Sequence, residues 1–133
     1  MVTRLLHETP VLALSHDEFT DWLYLEWYGA PTLAQVQESC AIIGQVLRED
    51  NTQKVLCDIS QVVHPNQEAV QWALTEWLPT VRNVGLRYVA WVYSQHYIIG
   101  RETFDRLHVL LTDPVVAAFD DLASAYDWLQ QQA

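Results

Sequence analysis

Apolar and polar residues recur with two different rhythms along this chain. Residues 11–14 (Val-Leu-Ala-Leu) form a short apolar run, and residues 21–28 alternate from side to side as a strand does. On that second stretch Leu23, Leu25 and Trp27 point one way, and Trp22, Tyr24, Glu26 and Tyr28 point the other. Gly29 and Pro31 end it. The spacing then becomes helical. Thr32 is placed to cap a helix whose stripe is Leu33, Val36, Cys40, Ile43 and Leu47. Residues 54–59 and 87–93 are apolar on both faces, as expected of strands covered on two sides. Between them a helix opens at Pro65-Asn66, with Val70, Ala73, Leu74, Trp77, Val81 and Val84 as its inner stripe. Pro79 falls inside it and predicts a kink or a division, because its nitrogen cannot donate to the carbonyl four residues back. A helix over 98–111 with Phe104, Leu107 and Leu111 inward comes next, then a strand over 115–119. Last is a helix capped by Asp120 or Asp121, with Leu122, Ala125, Tyr126 and Leu129 on one face.

The order β-β-α-β-α-β-α-β-α predicts an α/β fold. It consists of a mixed five-stranded sheet with an antiparallel hairpin at its N-terminal edge, right-handed crossovers and four helices. The length of 133 residues suits a single domain over residues 1–133.

Composition narrows the function classes. Seventeen acidic against seven basic residues give a net charge of −10, which repels nucleic-acid phosphates and anionic lipid alike, so neither nucleic acid nor membrane is an expected partner. The first eight residues carry charges where a signal peptide needs an apolar core, and no stretch reaches the length of a spanning helix. The expectation is a cytoplasmic protein. Two cysteines, Cys40 and Cys57, lie in apolar runs without a C-x-x-C pattern and read as buried thiols, although the sequence also allows a disulfide between them.

Several stretches resemble one family. These are Leu25-Glu26-Trp27-Tyr28-Gly29 before the first helix, Lys54-Val55-Leu56-Cys57-Asp58-Ile59-Ser60 as the central strand, and Glu76-Trp77-Leu78-Pro79 within a helix. Ala118-Phe119-Asp120-Asp121 and Ala125-Tyr126-Asp127-Trp128-Leu129 close the chain in the same manner. In order and spacing the sequence is similar to the STAS-like (SpoIIAA-like) domains, above all to stand-alone bacterial members without an assigned activity. The resemblance implies a STAS/SpoIIAA-like fold and a regulatory or protein-interaction module of a bacterial cytoplasm. Antagonists of that superfamily carry a phosphorylatable hydroxyl at the start of the helix after the central strand. The matching stretch here, Val62-Val63-His64-Pro65-Asn66-Gln67, has none, and Ser60 does not match that position.

Candidate chemistry is sparse. In open α/β sheets, ligands favour the crevice beyond the carboxyl ends of parallel strands. Asp58, Ser60 and His64 follow one such strand, and Ser94 and His96 follow another, so these five are candidate ligand-binding residues. If the strands are neighbours, Asp58 with His64 or His96 could serve as a general base. The plain alternative is a turn-capping carboxylate beside solvent-facing histidines. Ser60 or Ser94 could complete a triad on paper, but no G-x-S-x-G elbow accompanies them, and no catalytic residue is assigned. The five histidines lack metal-ligand spacing, and no glycine-rich phosphate loop occurs, so neither a metal nor a cofactor is expected.

Six Trp and six Tyr are more than a core of this size needs. Trp27, Trp77 and Trp91 fall on core stripes. Trp22, Tyr24, Tyr28, Trp72 and Trp128 do not, and are candidate interface residues, since Trp and Tyr concentrate at binding hot spots. The competing reading is that helices cover them. The leading expectation is therefore a non-enzymatic module that binds itself as a homodimer or binds another protein. A carrier of a small apolar ligand in a Trp/Tyr-lined pocket comes second, and a small enzyme third.

Overall fold

The computed structural model describes residues 2–94 and 99–133. Among these, six strands form one sheet in sequential order. They are β1 (Thr3–Thr9), β2 (Leu12–Asp17), β3 (Leu23–Gly29), β4 (Lys54–Val62), β5 (Tyr88–Val92) and β6 (Val115–Phe119). The first three are antiparallel, and β3 to β6 run parallel. Five strands were expected, and β1 is the addition. It lies at the sheet edge, where Thr3, Arg4, Leu5, His7 and Glu8 are all exposed. With no face to bury, the segment carries no apolar alternation, and its charges suit an edge that must not recruit another chain. Strand β4 also runs three residues past its expected end at Ile59, to Val62.

Helix α1 (Leu33–Asp50) starts at a reciprocal box in which Thr32 and Gln35 each accept the other's backbone N–H, and stops at left-handed Asn51. Right-handed crossovers that all step the same way along the sheet must place their helices on one face. Accordingly Cys40, Ile43 and Leu47 of α1 pack with Leu25, Trp27, Val55, Cys57, Val89 and Trp91 of the sheet. The chain returns over the opposite face only after β6. There α5 (Leu122–Gln131), capped by Asp121, packs Ala125 and Leu129 against Leu56, Ala90 and Val92. Lys54 Nζ donates to the carbonyls of Leu129 and Gln132 at 2.8 and 2.7 Å, tying the end of α5 to the start of β4.

The second crossover shows what Pro79 does. Helix α2 (Gln67–Trp72), capped by Asn66, passes into a π-helical turn (Ala73–Trp77) and then α3 (Leu78–Val81). The Leu78 N–H reaches back five residues to the Ala73 carbonyl. Pro79 cannot donate to the carbonyl of Thr75, and the helix absorbs the missing bond by widening one turn. The Thr75 and Thr80 hydroxyls donate to the Gln71 and Glu76 carbonyls along the same stretch. A 3-10 turn (Arg82–Val84) ends at Gly85, whose φ of 107° a side chain would strain. The third crossover is α4 (Ile99–His108), whose Phe104 is buried against Trp91 with ring centroids 4.6 Å apart.

Candidate functional site

Asp58 sits inside β4 at an irregularity in the parallel pairing. Glu26 faces Asp58, whereas Tyr28 faces Gln61, so β4 carries one residue more than β3 over this interval. Such a bulge leaves a strand N–H without its ladder partner. Asp58 takes it: Oδ1 accepts the Ser60 N–H at 2.9 Å. The other oxygen, Oδ2, accepts the Tyr24 hydroxyl at 2.8 Å in a buried contact. Tyr24 faces Leu56, two residues before Asp58, and therefore shares its side of the sheet. Burial and the Asp58 carboxylate beside it hold the Tyr24 phenol far above its ordinary pKa. Asp58 is thus a structural acceptor with both oxygens engaged, 6% exposed.

The other candidates fall around it. Strands β4 and β5 are indeed neighbours. Ser60 is half-buried just past the bulge. His64 is exposed beyond the end of β4. Ser94 is buried and donates its hydroxyl to the Val62 carbonyl at 2.7 Å, fastening the segment after β5 to the end of β4. His96 lies outside the described residues. Among the described residues, no three His, Cys, Asp or Glu side chains gather as a metal site, and no helix is long and apolar enough to cross a membrane.

The five non-core aromatics divide. Trp22 and Tyr24 are covered by the chain itself, with Trp22 packed on Tyr126 of α5 at 5.1 Å and Lys54 Nζ over its ring at 5.2 Å. Trp128 is half-buried against Tyr88 and Phe119, and Trp72 is half-buried against the main core. Tyr28 stays open at 36% exposure. The Gly29 carbonyl accepts the N–H of Val63 at 2.7 Å and of His64 at 3.4 Å, which brings the ends of β3 and β4 together. Tyr28, Val63 (45% exposed) and His64 consequently share the carboxyl rim of the sheet. Burial and the neighbouring Glu26, whose carboxylate accepts the Tyr28 hydroxyl at 3.2 Å, raise the Tyr28 pKa as well.

Below that rim, between the sheet and the helical crossovers, is a cavity of about 80 Å³. Trp27 and Trp91 come from the sheet, Cys40 from α1, and Val70, Ala73 and Trp77 from the stretch around the π turn. Trp77, expected on the core stripe of its helix, packs against the core and is half-buried at this wall. Cys57 also lines the space. The Cys40 and Cys57 thiols are free and buried, and desolvation raises both, Cys57 to about 12 although the Trp27 side chain opposes the shift. The sequence signalled this cavity only through Pro79 and the three tryptophans that flank it.

No family model matches the sequence, nor does any curated protein. Solved structures do. An uncharacterised protein of the DUF3478 family with a SpoIIAA-like fold, from Shewanella loihica PV-4, superposes with a TM-score of 0.58 at 14% identity, over 93% of this chain and 98% of the other. SiaC of Pseudomonas aeruginosa superposes with a TM-score of 0.52 at 12% identity, over 90% of this chain and all of the other. The arrangement of parallel strands, three crossovers on one face and a last helix on the other is the SpoIIAA-like fold, in agreement with the resemblance carried by the sequence motifs.

Proposed function

We propose that this protein is a non-enzymatic regulatory module that acts by binding another protein, either a second copy of itself or a different chain, through the carboxyl rim of its sheet. The observation that carries the reading is the fate of Asp58, the most chemically suggestive side chain in the sequence. Its oxygens hold a bulge N–H and a buried phenol, so the residue spends its acceptor capacity on the scaffold. What the same bulge leaves accessible is Tyr28, Val63 and His64, an aromatic, an aliphatic and an imidazole side chain held on adjoining strand ends. A rigidly mounted Tyr beside an aliphatic residue is the composition of a binding anchor. The fold shared with SpoIIAA-like proteins is in keeping with such a role.

Sedimentation velocity of the purified protein against its Val63→Asp variant tests the self-association form. Expected is an assembly that the variant dissociates without loss of folding. If the wild type is monomeric up to high micromolar concentration, the partner is a different chain. Affinity isolation from the producing cells with both versions then decides. Recovery of the same proteins by both would remove the rim from the account.

A further inference from the structure

The cavity under the π turn carries an inference separate from the protein-binding rim. Folded interiors are close-packed, and voids larger than a water molecule are few. This one measures about 80 Å³. Side-chain size keeps it open: Ala69 and Ala73, four residues apart on the helical wall, offer only methyl groups to a space that Trp27 and Trp91 bound from the sheet. The lining presents almost nothing polar. No charged side chain reaches it, burial holds both thiols protonated, and Asn66 spends its Oδ1 on the Ala69 N–H at 3.1 Å. Water in such a space would lack the polar partners it needs, and apolar cavities stay dry until an apolar molecule fills them. The space also has a mouth. Val36 of α1 and Val70, Ala73 and Trp77 of the second crossover all line it and are only half-buried, so it meets solvent along the seam between these two helical segments.

We propose that this cavity binds the methyl end of a neutral aliphatic chain, with the remainder of the chain leaving through the seam between α1 and the π turn. Polarity selects the end that enters, since a hydroxyl or carbonyl placed inside would lose its water and find no partner. Charge narrows the class. A carboxylate close behind the apolar end would lie at the mouth of a protein of net charge −10, with no cation on the lining to receive it. Size sets the length: about 80 Å³ is roughly half of the ~150 Å³ cavity that accepts benzene, so about three or four carbons enter.

The test is a titration followed by proton–carbon NMR of the methyl groups, with 1-pentanol as the probe. The controls are 1,5-pentanediol, which has no methyl end, and pentanoate, which carries a carboxylate behind the same chain. The methyl signals of Val70, Leu78 and Val89, all on the lining, are expected to shift saturably with pentanol and to show cross-relaxation from its terminal methyl. Those of Leu56 and Leu129, in the core on the other face of the sheet, are expected to stay in place. The diol should move none of them, and pentanoate should bind at least about tenfold more weakly. Ala73→Leu fills the space from the helical wall, and Val36→Phe narrows the seam at a half-buried position that tolerates a larger side chain. Each is expected to abolish the shifts while the methyl spectrum stays dispersed, and if Ala73→Leu does not fold, Val36→Phe decides. The proposal is overturned if no lining methyl saturates, if a folded variant responds like the wild type, or if the diol or pentanoate binds as tightly as pentanol.

Discussion

Removing one hydroxyl should reveal how much of this fold hangs on Asp58. Tyr24→Phe keeps the ring, which is 8% exposed, and deletes only the donor 2.8 Å from Asp58 Oδ2. Asp58, 6% exposed, then retains only the Ser60 N–H among these two bonds. A hydrogen bond to a charged, buried acceptor contributes about 1.5–3 kcal/mol, and leaving the acceptor short keeps the cost near that range because water cannot replace the donor. For a chain of this size that corresponds to a fall in melting temperature of roughly 5–15 °C. Urea titration of wild type, Tyr24→Phe, Asp58→Asn and the double variant forms a cycle that isolates the pair. Asp58→Asn leaves an amide oxygen in place of one carboxylate oxygen, so part of the coupling survives in that single variant. A cost for Tyr24→Phe below about 0.5 kcal/mol, the range of an ordinary surface change, would refute the assignment of Asp58 as a scaffold acceptor.

Other outcomes follow from the same geometry. Stability should fall as pH rises from about 9 to about 12: the unfolded chain releases the Cys57 proton near 9, the native protein holds it until about 12, and the state with more bound protons loses ground by up to about 1.4 kcal/mol per pH unit. Cys40 and Tyr24, also raised in the fold, act in the same direction, and urea midpoints that stay level across this interval would contradict the burial argument. At pH 8 neither thiol should react with a maleimide or an aromatic disulfide reagent until denaturant is added; rapid native labelling would show that the cavity wall opens. Leu129→Ala, at a fully buried position under α5, should cost about 2–5 kcal/mol and shift tryptophan emission to the red as Trp22 meets water; an unchanged emission in the folded variant would mean that α5 does not seal that face. Thr32→Ala removes one half of the α1 box and should cost about 0.5–2 kcal/mol by thermal unfolding.

The sequence made the helix-flanked core legible because burial imprints itself on periodicity. The stripe of α1 and both doubly covered strands were readable for that reason, and cap chemistry marked the helix starts at Thr32, at Pro65-Asn66 and at Asp120 or Asp121, of which the structure uses Thr32, Asn66 and Asp121. Strand β1 was not, since a strand that buries almost nothing leaves no apolar rhythm. The site was less legible than the fold. Tyr24 and Asp58 each stood out, one as an interface aromatic and one as a ligand-binding acid, but the bond that joins them depends on the register of β3 on β4, which no single strand encodes. The bulge at residues 58–61 has no distinguishing residue type either. Pro79 announced a broken helix, yet whether the chain would kink or widen by one turn is settled by packing around Trp77 and Leu78, and with it the shape of the cavity.

The role proposed for the carboxyl rim meets its most direct test in site-specific photo-crosslinking within the producing cells. A benzophenone amino acid replaces Tyr28 in one version, and Phe19 or Leu110, exposed at 73% and 75% away from the rim, in two others. The account predicts a discrete adduct from position 28 that disappears when Val63→Asp is added, with only diffuse background from positions 19 and 110. Equal adducts from all three positions, or a position-28 adduct indifferent to Val63→Asp, would contradict it.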